Sequence, residues 1–146
     1  MAKELVTTID IAAPASAVWA ILTDFDSFSD WNPFVRLIRG ELREGAELEV
    51  MLDTPNRNPM TFKPKLVKLT PERELSWLGK LWGIPGLFTG EHRFEIQPTG
   101  DASVRFVQSE HFTGLFPPFI WNGMADDTRD GFETMNEALK RLAEQG

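Results

Sequence analysis

From Leu5 to Ile11 the chain mixes apolar Leu5, Val6, Ile9 and Ile11 with Thr7, Thr8 and Asp10, a β-rich run that stops at Ala12, Ala13 and Pro14. Proline suits the first turn of a helix, and Val18, Ile21, Leu22 and Phe25 then recur at helical spacing. DFDSFSDWNPF continues as a short second helix or turn ending near Pro33, because the residue before a proline is driven out of helical space. From Phe34 to Phe112 the period changes. FVRLIRG, AELEVML, MTFKPKLVKLT, ELSWLGKL, GLFTGEHRFEI and SVRFVQSEHF are short β-rich segments, parted by the turn signals Gly40, REG, TPNRNP, TPER, GIPG and PTGD. Together with the first run they predict an antiparallel sheet of seven strands. At the C-terminus Trp121, Met124, Thr128, Phe132, Met135, Leu139 and Leu142 follow at steps of three or four, one apolar stripe on a long helix. Gly123 and Gly131 interrupt its first half, which predicts close backbone approach or bending there.

The pattern is α+β: a strand, two short helices, six more antiparallel strands and one long terminal helix, in a single domain over residues 1–146. A sheet that curls strongly around one helix leaves a hollow. Composition narrows what that hollow can serve. The chain carries 15 basic and 22 acidic residues, a net charge of −7, which repels a phosphate backbone and argues against a nucleic-acid partner. It has no cysteine, which removes disulfides, thiolate nucleophiles and cysteine-based zinc sites. No apolar run is long enough for a signal peptide or a membrane span, so the expected setting is soluble and cytoplasmic, without stable membrane insertion. Eleven Phe and five Trp with no Tyr predict a dry aromatic interior.

The stretch IAAPASAVWAILTDFDSFSDWNPF, the segments ELSWLG, GEHRFEI and SEHFTG, and the terminal helix resemble the START-like helix-grip (SRPBCC) superfamily, in particular its polyketide cyclase/dehydrase and lipid-transport branch. The resemblance covers nearly the whole chain and implies a helix-grip fold, a curved sheet wrapped around the C-terminal helix. It also implies an internal cavity for a small hydrophobic molecule, lipid or polyketide-like. The fold hosts carriers, receptors, cyclases and chaperone activators, so the function has to be argued from the site. GEHR, Gly90 to Arg93, is similar to the latch of plant abscisic acid receptors, but here it opens a strand and the receptors' gate sequence is missing from DTPNRNPM. No receptor role is inferred.

Alternation separates the polar residues of the two last segments. Gly90, His92, Phe94 and Ile96 share one face, as do Val104, Phe106, Gln108, Glu110 and Phe112, and apolar bulk marks both as inward. A hairpin at PTGD then sets His92 opposite or diagonal to Glu110, with His111 outside. Three uses of this pair are open: acid and base on a carbonyl or enol of a polyketide-like substrate, hydrogen bonding to the polar end of a ligand, or mutual satisfaction near the barrel mouth. Trp31, Phe34, Phe62 and Trp77 are candidates for the wall, with Phe116, Phe119, Trp121, Met124, Thr128 and Phe132 from the helix and its approach. Core packing is the commoner use of such rings, and the cavity expected of the fold is what favours the second use. The loops DTPNRNPM and LWGIPGLF carry the Pro and Gly of mobile covers at a mouth.

Other chemistries lack their residues. Two histidines on opposite faces offer no metal constellation. GIPG lacks the lysine of a phosphate loop, Ser109 points away from His92 so that a hydrolase triad is not formed, and KPKLVK reads as a solvated strand face. The expected function is binding of a small apolar or aromatic molecule, with no cofactor and no metal. A cyclase or dehydratase using Glu110 and His92 is the first alternative, and a regulatory or co-chaperone-like surface module the second. A homodimer is compatible with either.

Overall fold

The computed structural model describes residues 2–80, 88–114 and 118–146, with side chains at all of these except 2, 88 and 118–120. Strand β1 (Ala2–Ile11) leads into α1 (Ala15–Thr23), a single 3-10 turn (Phe25–Ser27) and α2 (Phe28–Trp31). Seven further strands follow: β2 (Val35–Arg39), β3 (Glu49–Leu52), β4 (Met60–Phe62), β5 (Lys65–Thr70), β6 (Glu74–Lys80), β7 (Phe88–Gly100) and β8 (Ser103–Gly114). Helix α3 (Pro118–Gln145) closes the chain. Pro14 stands at the N-cap of α1, where its carbonyl accepts from the Ala17 and Val18 amides, and its missing N–H costs nothing.

The strands form two antiparallel sheets among the described residues, one ordered β1-β8-β7-β6-β5 and one ordered β2-β3-β4. Among the described residues eight strands replace the seven expected, because MTFKPKLVKLT is two strands and not one. Pro64 has no N–H for a ladder, and the chain changes partners there: Phe62 pairs with Val50 in the small sheet, whereas Lys65 pairs with Leu78 in the large one. The segment before β3 stitches the sheets together, with the Leu48 amide donating to Pro64 O (2.8 Å) and the Leu66 amide to Ala46 O (2.9 Å).

Alternation along β7 and β8 falls as the pattern requires. His92, Phe94 and Ile96 are buried, as are Val104, Phe106, Gln108 and Phe112, while Arg105 and His111 are exposed. GEHR lies within β7, paired on both sides. Helix α3 lays Phe132, Met135, Leu139 and Ala143 against this face, all buried. Each such large apolar side chain contributes about 2 kcal/mol by leaving water. Leu142, placed on the stripe by sequence, is 36% exposed. A helix of 3.6 residues per turn carries the stripe from Leu139 to Ala143 instead. No helix among the described residues is long and apolar enough to cross a membrane.

Candidate functional site

Packing between the sheet and α3 is tight from Gly131 onward and opens before it. There, at the junction of the two sheets and the first half of α3, lies a cavity of about 180 Å³. Phe34, Leu52, Met60 and Phe62 wall it from the small sheet and its approach, His92, Glu110 and Phe112 from the large sheet, and Met124 and Thr128 from α3. Thr54, Arg57 and Asn58, from the loop between β3 and β4, complete the lining.

Local chemistry explains how Phe34 arrives there. Asn32 is fully buried, and its Oδ1 accepts from the amides of Phe34 (2.9 Å) and Val35 (2.8 Å), a side-chain turn that swings the chain from α2 into β2. The Phe34 ring then lies on the bare Cα of Gly131, where an added Cβ would stand 2.5 Å from Cδ1. The glycine expected to mark close approach does so through this ring. Trp31, expected on the same wall, still belongs to α2. It packs edge-on against Phe28 at 5.3 Å and faces a separate hollow beside Ile21, Asp30 and Leu142. The turn at Asn32 reverses direction between the two rings, so only one of them reaches the cavity.

At the inner end of the cavity, register sets His92 directly opposite Glu110 on one side and Trp77 on the other. The imidazole is 1% exposed, ringed by Phe94 (4.6 Å), Phe132 (4.9 Å), Trp77 (5.0 Å) and Phe34 (6.5 Å). Its Nδ1 lies 3.3 Å from Glu110 Oε1 and its Nε2 lies 2.9 Å from Gln108 Oε1. Gln108 is wholly buried behind it, and Trp77, Phe94 and Phe132 also stand behind the wall, in contact with the histidine and not with the void. Glu110 rests over Gly90, where a Cβ would collide with its Oε2. A side chain at position 90 would therefore displace the carboxylate.

The mouth is held by charge. The loop over residues 53–59 is clasped to α3 through Asp127, which accepts from Arg57 Nε (2.9 Å) and Asn56 Nδ2 (3.2 Å). The second expected cover, LWGIPGLF, lies outside the residues described, except for the backbone of its last residue, as do Phe116 and the side chain of Phe119. Trp121, at the start of α3, meets Phe112 edge-on at 5.1 Å. Among the described residues no group of three or more His, Asp or Glu is gathered as a metal ion would need.

Sequence reasoning placed the loop DTPNRNPM at the mouth but did not single out its Thr54, Arg57, Asn58 and Met60 as lining, and it missed Leu52, because the direction of the loop is set by the Asp127 clasp and not by any periodicity. It set Gly90 on the inward face without foreseeing that Glu110 rests over it, and it missed Thr7 and Asn136, which hydrogen-bond to each other behind Gln108. Their signals were present: a glycine on the inward face of β7, a threonine between Leu5 and Ile9, and an asparagine one turn after Phe132 on a core stripe.

Comparison with known proteins agrees with this geometry. Among curated proteins none matches the chain by sequence. Solved structures do match its fold. The Zhui aromatase/cyclase from Streptomyces sp. R1128 superposes with a TM-score of 0.76 at 16% identity, over 99% of this chain and 95% of the other. Norcoclaurine synthase from Thalictrum flavum, in complex with dopamine and hydroxybenzaldehyde, gives 0.74 at 17% identity, over 99% and 88%. A START superfamily protein from Mycobacterium smegmatis gives 0.73 at 19% identity, over 97% of each chain. At these identities the likeness is one of fold. The polyketide cyclase/dehydrase and lipid transport family matches residues 2–144. With the long helix gripped by the large antiparallel sheet and the match running nearly end to end, the chain is a member of that family, with the START-like helix-grip fold.

Proposed function

We propose that this protein, as a single domain in the cytoplasm, binds a small, largely apolar molecule in the cavity between sheet and α3, with the molecule's polar end at Glu110. The observation that carries the reading is a largely apolar cavity with a polar mouth and, at its inner end, one carboxylate and one buried imidazole. The imidazole is satisfied by Gln108 and Glu110, which leaves the second carboxylate oxygen free for a ligand's polar end. Size limits the ligand. A cavity of about 150 Å³ accommodates benzene, so 180 Å³ suits one ring or a short branched chain. A larger body requires the 53–59 loop to move. The acidic balance of the chain argues against nucleic acid as a partner.

A second reading uses the same groups as acid and base on a carbonyl or enol. Structural neighbours described as an aromatase/cyclase and a norcoclaurine synthase support it by analogy of fold. Thermal shift across monocyclic phenols, short fatty acids, isoprenoids, flavonoids and aromatic polyketides tests the first reading. Single-ring compounds should stabilise the wild type and lose that effect in Phe62→Trp, which fills the void. An unchanged melting temperature with every class counts against it. Catalysis requires that Glu110→Gln abolish turnover of a bound compound while its affinity holds. Loss of affinity in that variant leaves binding alone.

A further inference from the structure

Behind the cavity a chain of hydrogen bonds runs from β1 to the histidine, and the donors and acceptors along it permit one arrangement. Thr7 Oγ1 lies 2.9 Å from the main-chain carbonyl of Gln108, which only accepts, so the hydroxyl proton is spent there. The same Oγ1 therefore accepts from Asn136 Nδ2 at 2.9 Å, which turns Asn136 Oδ1 toward Gln108 Nε2 at 2.8 Å. That amide nitrogen also points its second proton at Phe132 O, 3.3 Å away. Reversing Gln108 would aim its oxygen at two acceptors with no proton between them. Gln108 Oε1 is left facing His92 Nε2 at 2.9 Å, so Nε2 carries a proton. Nδ1 is the only ring nitrogen left to face Glu110 Oε1.

We propose that Thr7 and Asn136 are positioning residues that act through Gln108 to hold His92 in the Nε2–H state, so that Nδ1 and Glu110 share a single proton at the inner end of the cavity. Without that proton, a ring lone pair and a carboxylate lone pair would face each other at 3.3 Å. With it, the two groups are either carboxylic acid beside neutral imidazole or carboxylate beside imidazolium, and the proton passes between Oε1 and Nδ1 with no change in the pair's total. Glu110 Oε2, which makes no hydrogen bond among the described residues, is the atom left to meet a ligand. Thr7, Gln108 and Asn136 are 6%, 0% and 2% exposed, so each link is made away from bulk solvent. The use of this device rests on the cavity being the functional site; its existence does not.

Nitrogen-15 NMR of the histidines in the full chain, without any ligand, tests it. There are two histidines, so His92→Gln assigns the signals. In the wild type, His92 Nε2 should be protonated and its N–H protected from exchange. Thr7→Val and Asn136→Leu leave only the longer contact to Phe132 O to orient the Gln108 amide, and should raise the population with unprotonated Nε2 up to about tenfold, the worth of one hydrogen bond. Thr7→Ser keeps the hydroxyl and should keep the wild-type signal. A wild-type His92 with Nε2 unprotonated overturns the proposal without any variant. So does a folded Thr7→Val or Asn136→Leu protein with the wild-type signal unchanged. If no compound ever binds the cavity, the functional reading fails while the tautomer result stands.

Discussion

Helix α3 meets the same sheet in two different ways. From Gly131 to Ala143 its inward residues Phe132, Met135 and Leu139 are wholly buried. Before Gly131, Trp121, Met124 and Thr128 are only half-buried, and the last two line a void. Both halves carry the same apolar period, so the difference lies in what faces them. The closed half packs mainly on β1, with β8 and α1 beside it, and joins Phe94, Ile96 and Phe106 in one buried cluster. The open half meets Glu110 and the small sheet, which the chain builds after leaving α2 and abandons at Pro64. One element thus serves as core at one end and as cavity wall at the other, with Gly131 and the Phe34 ring as the partition.

The largest test of this difference is truncation on either side of the partition. Leu139→Ala leaves an unfilled hole among packed atoms and should cost about 2–5 kcal/mol. Met124→Ala extends a void that already exists and should cost about 1 kcal/mol or less, while admitting a bulkier ligand. Urea midpoints at unchanged slope measure both. Equal losses would mean that the two halves are packed alike.

The partition itself comes next. Gly131→Ala gains about 1 kcal/mol of helix propensity, but its methyl group meets the Phe34 ring. Overpacking of that kind costs about 1–3 kcal/mol. We expect a net loss in the same urea assay, recovered in the double variant with Phe34→Leu. Recovery by the smaller side chain would show that the ring, and not a backbone requirement, keeps position 131 a glycine.

The sequence makes the closed half far easier to read than the open one. Phe132, Met135 and Leu139 announce themselves by helical spacing, and Phe94, Ile96, Val104 and Phe106 by strand alternation, because a buried face imposes its period on the chain. The facing of His92 and Glu110 follows from the same alternation and from one hairpin. The open half is set by events with no period. A proline splits one expected strand, an asparagine turn sends Phe34 inward and leaves Trp31 outside, and a salt bridge brings Arg57 and Asn58 to the mouth. Thr7 and Asn136 were hidden for another reason. A polar residue on a core stripe tells that a partner exists, but not which strand supplies it.

Each half of α3 also has its own polar tether, and these predict the smaller effects. At the open end, Asp127→Asn weakens the clasp on the 53–59 loop. The pair is part-exposed, at 43% and 19%, so stability should change by less than about 1 kcal/mol. The loop should respond more than the fold: the Arg57 amide, which donates to Thr54 O, should lose hydrogen-exchange protection while amides near Leu139 keep theirs.

At the closed end, Glu144 accepts from Lys140 Nζ at 2.7 Å and from the Ala12 amide at 2.8 Å, fastening the last turn of α3 to the junction of β1 and α1. The Lys140 hydrogen bond first, then the Ala12 amide, hold the Glu144 carboxyl below its ordinary value of 4.5. Because the folded state favours the ionised form, this tether is complete above that ordinary value and is lost as pH falls through the lowered one. Glu144→Gln should therefore reduce stability slightly at neutral pH, and the gap to wild type should close as the pH falls through that lowered value. The carboxylate is part-exposed and lies away from the cavity lining, so the effect belongs in the urea midpoint and not in the cavity. Ligand affinity should stay unchanged in this variant and shift in Asp127→Asn. If Glu144→Gln instead altered affinity, the two ends of α3 would be coupled through the helix and the partition at Gly131 would not isolate them.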